Sequence, residues 1–246
     1  MITPWQILGT LSGGRVLDVA TGSGGFIHFL IEGLNDFDEI IGIDTTDRGT
    51  AAFAAAFKDR PNIRFAQMDA AHLAWPEASF DTVCMSNSLH HLTDLPRVLA
   101  ELDRVLRPGG QFIVSEMYRD GQTAEQQTHV ELHHWWAGVD TAQGITHHET
   151  YTREQLIAII ATLNLHPVTL TDVCDLSGDP KDPELIQELG GIIDRYLERA
   201  ASLPQAAAPQ IAALRQHGEQ LRQRVQTIGF HSATTLIAVG TKSATA

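Results

Sequence analysis

Val16–Phe26, reading VLDVATGSGGF, constrain this chain more than any other stretch. An apolar run carrying one acid, Asp18, meets a loop with Gly22, Gly24 and Gly25, and then an apolar helix start. The run reads as a strand. The glycines allow a tight turn and let a ligand approach backbone N–H groups at a helix N-terminus. A strand, a glycine loop and a helix in that order open a βαβ unit, which leads to a parallel sheet covered by helices. The loop itself points to a nucleotide-like ligand.

Its details discriminate between ligands. A dinucleotide loop needs G-x-G-x-x-G, the third glycine allowing close helix–strand packing. Gly22 and Gly24 fill the first two places, but the third falls on Ile27. Asp18 would also set a negative charge against a pyrophosphate, whereas a ligand with a cationic end would welcome it. A dinucleotide-dependent oxidoreductase is therefore the weaker reading.

Four more landmarks follow. Ile40–Asp44 (IIGID) is a second apolar strand ending in an acid about 20 residues past the loop, where nucleotide-binding α/β folds place a ribose-binding carboxylate. Met68-Asp69-Ala70 follows the short strand Ile63–Ala66. Phe80–Asn87 (FDTVCMSN) is a fourth strand, and Leu106–Gly110 (LRPGG) leads into a fifth, from Gln111.

Asp18–Gly24 (DVATGSG) resembles motif I of the class I S-adenosylmethionine-dependent methyltransferases, and the other four landmarks resemble the family in order and spacing over about residues 14–117. The family often has glycine where Ala20 stands; alanine is still small. The nearest likeness is to small-molecule methyltransferases related to quinone biosynthesis, which also carry a stretch like Leu89-His90-His91-Leu92. The resemblance implies S-adenosylmethionine as cofactor, its sulfonium and α-amino groups supplying the cationic end. It implies that Asp18, Ala20, Gly22 and Gly24 hold the methionine end. Asp44 and Thr45 would meet the ribose, Asp69 and Ala70 the adenine, and Ser86 and Asn87 the sulfur region. A non-catalytic module that binds the same cofactor stays open, because binding residues are not turnover residues.

Composition narrows the partners. A formal charge of −13 and a pI near 5.2 argue against nucleic acid, whose phosphates need a basic footprint. No long apolar run or basic amphipathic anchor suggests a membrane. The first residues lack the charged and cleavage regions of a signal peptide. The two cysteines, Cys84 and Cys174, have neither metal spacing nor a disulfide framework around them. A cytoplasmic enzyme with a small-molecule substrate is the expectation.

The element pattern predicts one α/β domain, 1–246, with a Rossmann-like, doubly wound parallel sheet, and the resemblance implies seven strands with the seventh antiparallel between the fifth and the sixth. Expected strands are Arg15–Ala20, Glu39–Asp44, Ile63–Ala66, Thr82–Ser86, Gln111–Glu116, Val168–Cys174 and Thr234–Val239. Expected helices cover Gly25–Gly33, Thr50–Phe57, a stretch capped by Asp94, and Thr152–Leu163. Two helical insertions interrupt this plan. One, 118–151, is rich in His and Trp; the other, 177–231, reads as a hairpin starting at Asp182-Pro183, broken near Pro204–Pro209 and continuing to about Ile228. The hairpin fits a stabilising cap or a homodimer element. Few residues precede the first strand, so a roof over an acceptor pocket would come from the insertions or another subunit.

The first insertion holds five of the chain's twelve histidines. Thr123 and Gln126 have capping-box spacing, so a helix should follow and set His129 and His133 one turn apart on one face. That pair could hold a metal, with His147, His148, Glu149 or Asp140 as third ligand; no metal is assigned. A hydrogen-bonding or acid/base role is the alternative, with His133 and then His129 as catalytic candidates. Trp135 and Trp136 read as core or interface anchors. His90 is expected to shape its loop, and His91 is left open.

Overall fold

Strand β1, Arg15–Val19, is buried along all but its first residue, Asp18 included. The computed structural model describes residues 6, 8–204 and 208–244. β1 leads to α1 (Gly25–Gly33), β2 (Glu39–Asp44), α2 (Thr50–Ala56), β3 (Ile63–Gln67) and β4 (Phe80–Ser86). α3 (Leu95–Val105), β5 (Leu106–Met117), α4 (Ala124–Ala142), α5 (Arg153–Ile160) and β6 (Leu165–Val173) follow. α6 (Pro183–Ala201), α7 (Ala208–Thr227) and β7 (Thr235–Lys242) complete the order.

These elements form two units. The first takes the residues up to Glu116, then Gln155–Val173 and the stretch from Leu236; the second takes Met117–Glu154 and Cys174–Thr235.

The first unit holds the sheet, in the order β3-β2-β1-β4-β5-β7-β6. β1 pairs in parallel with β2 and β4, β2 with β3, and β4 with β5, while β7 is antiparallel. This is the expected doubly wound sheet. Central parallel strands are covered on both faces and so read as near-continuous apolar runs. Val16, Ile27, Leu30, Ile40, Cys84 and Ile113 belong to one core cluster beneath α1 and the sheet. Each fully buried aliphatic side chain there contributes roughly 2 kcal/mol. α3 starts as expected, with Asp94 accepting from the Arg97 N–H and Pro96 in the first turn.

Several boundaries differ from expectation, β4 starting at Phe80 and β7 ending at Lys242 among them. β5 begins at Leu106 rather than Gln111: Leu106 pairs with Phe80 and Gln111 with Thr82, and residues 107–110 bulge between them. Pro108 disfavours helix at Arg107 and has no N–H for the ladder, so the chain leaves α3 early and resumes pairing after the bulge. β6 begins at Leu165 rather than Val168. It is an edge strand exposed along most of its length, and that weakens the apolar signal that marks a strand. α5 ends at Ile160, the next residues closing in turns from Thr162 to Ile159 and from Leu163 to Ile160.

The second unit contains most of both expected insertions. The capping box is present at Thr123 and Gln126, and α4 follows it. Asp182 caps α6 by accepting from Glu184 and Leu185 N–H groups. α4, α6 and α7 share a core of Leu132, Trp135, Val139, Leu189, Ile193 and Leu221. The hairpin of α6 and α7 therefore packs on the histidine helix. Of the predicted break between its helices, residues 205–207 lie outside the described residues. No helix among the described residues is long and apolar enough to cross a membrane.

Candidate functional site

The acids singled out in the sequence stand at the carboxyl ends of neighbouring strands of the first unit. That edge is where open α/β sheets receive ligands. Asp18 comes from β1, Asp44 ends β2, and Asp69 follows β3. Val19 lies opposite Met85, so Ala20 leaves β1 at the level where Ser86, still paired with Ser115, ends β4.

The glycine loop is tied down at both ends. Asp18 Oδ2 accepts from Thr21 Oγ1 at 2.6 Å, the Thr21 N–H donates to the Ile43 carbonyl at 2.9 Å, and the Gly24 N–H donates to the Thr21 carbonyl at 2.8 Å. The Gly22 N–H donates to Asp44 Oδ2 at 3.2 Å. Asp44 Oδ1 accepts from the N–H and hydroxyl of Thr46 at 3.0 and 3.2 Å. Gly22 and Gly24 both have positive φ, +54° and +88°. A side chain at Gly24 would meet the Phe57 ring at 2.4 Å, whereas one at Gly22 would meet nothing within 4 Å. Gly24 is thus required by packing, and Gly22 faces open space where a ligand can lie against backbone. Ala20 is also left-handed, at φ +54°, which is why glycine suits this place.

Asp18 is the unusual group. It is 1% exposed, and burial pushes its carboxyl up to about 7 against the hydrogen bonds of Thr21 and Cys84. Asp18 and Asp44 take their hydrogen bonds from hydroxyl, thiol and backbone N–H donors. Such a set leaves lone pairs for ribose hydroxyls, and a cationic ligand group would favour the ionised form of Asp18. These residues fit an adenosyl sulfonium donor.

Asp69 accepts from the Ala71 N–H at 2.9 Å and meets His72 Nδ1 at 3.2 Å. The Ala71 hydrogen bond, more than the His72 contact, holds its carboxyl below the usual range. Ala70 is buried, and Thr45 is exposed with its carbonyl accepting from Gln67 Nε2 at 2.9 Å. Asn87 has φ +45° and donates its N–H to the Ser115 carbonyl at 2.8 Å.

One buried acid escaped sequence reading. Glu116, 0% exposed, accepts from the Ser88 and Leu89 N–H groups at 2.9 and 3.1 Å and meets His90 Nδ1 at 2.7 Å. It fixes the turn after Asn87 and makes His90 a loop-shaping residue, while His91 is exposed. The available signal was an acid within the apolar run Phe112–Met117.

The catalytic candidates of α4 lie in the second unit. The rings of His129 and His133 are 6.5 Å apart, on one face as expected. His129 Nδ1 accepts from the Ala233 N–H at 2.9 Å, and burial pushes its pKa down to about 4, so it is neutral at pH 7. His133 sits 4.8 Å, ring to ring, from His147. His147 Nδ1 meets Asp140 Oδ2 at 2.6 Å, and Arg199 donates to the other Asp140 oxygen. Burial pushes the Asp140 carboxyl up, but hydrogen bonds from His147 and Arg199 outweigh it and hold it below the usual range. Trp135 is 1% exposed and donates to the Leu214 carbonyl at 2.8 Å, a core anchor as expected.

Residues 17–114 match the family model described as a methyltransferase domain. Over 103 residues the chain is 40% identical to the demethylmenaquinone methyltransferase of Deinococcus radiodurans, covering 42% of each protein. The chain matches less than half the length of the first curated relatives it resembles. Its fold is similar to a crystal structure of a putative methyltransferase from Bacillus halodurans, with a TM-score of 0.60, 16% identity, and 98% and 97% of the two chains covered. It is also similar to a Haemonchus contortus phosphoethanolamine N-methyltransferase in complex with phosphomonomethylethanolamine and S-adenosylhomocysteine, with a TM-score of 0.56 and 16% identity over 94% and 49% of the two chains.

Proposed function

We propose that this chain is a class I S-adenosylmethionine-dependent methyltransferase that transfers a methyl group to a small-molecule acceptor and releases S-adenosylhomocysteine. The observation that carries the reading is the buried Asp18 at the foot of a loop whose Gly22 is held by Asp44. When bound, S-adenosylmethionine supplies a methyl group already activated by its sulfonium. The protein's part is then to bind, orient and exclude water.

Asp18 faces the cationic methionine end, and the open backbone at Gly22 lets that end come close. Ala20 and Gly24 set the curve of the loop. Asp44 accepts from the ribose hydroxyls, with Thr45 beside it. Asp69 accepts from the adenine amino group, Ala70 lies against the ring, and Ser86 and Asn87 line the sulfur end. A proton acceptor is needed only where the acceptor atom carries a proton at neutral pH. His129, held neutral and already accepting from Ala233, suits that role poorly, so His133 is the stronger candidate on α4.

The relative's name makes a demethylated menaquinone the first acceptor to try. Its match covers less than half of either protein, so other small acceptors belong in the same screen. We place the protein in the cytoplasm as one methyltransferase domain with insertions at 118–151 and 177–231, and a homodimer is the assembly to test.

Asp44→Ala decides the donor reading. Calorimetric titration should show S-adenosylmethionine affinity falling at least about 100-fold, as expected when two charge-assisted hydrogen bonds are lost. Circular dichroism should show a folded chain. Unchanged affinity would remove Asp44 from the ribose role. Release of S-adenosylhomocysteine in the acceptor screen separates an enzyme from a module that only binds.

A further inference from the structure

The second unit contains a group that donor binding does not use. After α4 the chain folds back over the helix end: the Ile145 N–H donates to the Asp140 carbonyl at 3.0 Å, and Thr141 Oγ1 donates to the His147 carbonyl at 3.0 Å. This return carries His147 against Asp140 and edge-on to His133, with ring planes at 81°. His147 is 7% exposed and Asp140 8%.

We propose that His133 and His147 bind a divalent transition-metal ion, and that Asp140 orients His147 for it. The chemistry rests on which nitrogen holds the proton. Asp140 accepts from both Arg199 and His147, so His147 Nδ1 carries a hydrogen and Nε2 presents its lone pair. A carboxylate behind a histidine is the outer arrangement of many metal sites, fixing the ring and raising its basicity. The ligand nitrogens of His133 and His147 lie within 4.8 Å of one another. Two imidazoles on one ion, each at about 2.0–2.1 Å, bring their nitrogens to roughly 3–4 Å, which a small ring rotation achieves.

An all-imidazole donor pair favours zinc, cobalt, nickel or copper over magnesium or calcium, which prefer oxygen. Two protein ligands leave positions for water or for an oxygen of a bound molecule. An Asp–His pair serving only to close the helix end would not require a second imidazole edge-on to the first. The proposal is independent of donor binding, and it replaces the proton-acceptor role proposed for His133 with a ligand's role.

The test uses the full chain without a histidine tag, stripped with a chelator and titrated with Co²⁺ alone. Visible absorption reports coordination, and Zn²⁺ competition reports affinity. One equivalent should bind, and His133→Gln or His147→Gln should weaken binding at least about 100-fold. Asp140→Asn should weaken it about 10- to 100-fold. His148→Ala, at an exposed neighbour, should leave it unchanged. Circular dichroism checks each variant's fold. Should the stripped chain bind no Co²⁺, or folded His133→Gln and His147→Gln bind it like the parent, the proposal is overturned.

Discussion

The glycine loop of the first unit and the histidine helix of the second are built on opposite plans. Around the loop, most partners are near in sequence: Asp18 takes Thr21, three residues on, and Asp44 holds Gly22 across one βαβ step, while Cys84 of β4 reaches Asp18 from farther off. Around the helix, the partners are far. His129 accepts from Ala233, Trp135 donates to Leu214, and Asp140 is held by Arg199. The loop can therefore keep its geometry as long as one parallel sheet forms. The helix keeps its side chains in place only once α6 and α7 have docked on it. The loop region buries an acid held by a hydroxyl and a thiol, and burial favours its neutral form, whereas the helix region pairs its buried acid with the Arg199 cation and a hydrogen bond from His147.

The sharpest test of that contrast is pH. Burial raises Asp18 from 3.8 to about 7 in the folded chain. Between those values the unfolded chain has released a proton that the folded chain still holds, so stability should fall as pH rises from about 4 to about 7 and then level off. The full span corresponds to roughly 4 kcal/mol. Urea unfolding at pH 5 and pH 8 should record roughly 3 kcal/mol of it, and Asp18→Asn should flatten that part of the profile. A cationic donor favours the carboxylate, so S-adenosylmethionine affinity should rise up to roughly tenfold per pH unit toward 7. If donor affinity rises equally with pH in Asp18→Asn, the charge pairing is absent.

Two glycine replacements separate the units next. A methyl at Gly24 meets the Phe57 ring at 2.4 Å in a left-handed conformation, and one at Gly218 meets Trp135 at 2.5 Å within α7. Overpacking costs about 1–3 kcal/mol, and left-handed strain adds about 1–3. Gly24→Ala should thus destabilise by roughly 3 kcal/mol and also weaken donor binding. Gly218→Ala should cost roughly 1–2 kcal/mol, because alanine suits a helix better than glycine, and should leave donor affinity unchanged. Urea unfolding with calorimetry on the folded fraction reads both. Equal loss of donor affinity in the two variants would mean the loop depends on the second unit.

The same contrast explains what was legible in the sequence. The sheet's strands and the three acids at or near their carboxyl ends follow from local apolar runs and loop chemistry, and the observed sheet keeps them in the expected places. The capping boundary of α4 was legible because Thr123 and Gln126 satisfy each other within one turn. Glu116 was not, since its donors Ser88 and Leu89 lie on another strand's loop. Nor was the pairing of His147 with Asp140, which needs a chain reversal that spacing does not encode. The start of β5 was misplaced because a proline-glycine turn reads as a stop, while the ladder tolerates it as a bulge.

The smallest effect comes from Ala20, where this loop departs from the glycine often found in the methyltransferases it resembles. Its φ of +54° places Cβ in the left-handed region, at a cost of about 1 kcal/mol or slightly more. Glycine removes that strain but loses more chain entropy on folding, about 0.5–1 kcal/mol. Ala20→Gly should therefore stabilise by no more than about 1 kcal/mol in urea unfolding, with donor affinity within about twofold of the parent. A loss of stability larger than about 1 kcal/mol would mean that the Ala20 methyl packs favourably enough to outweigh its strain, making the loop's curvature depend on side-chain contact as α4 does.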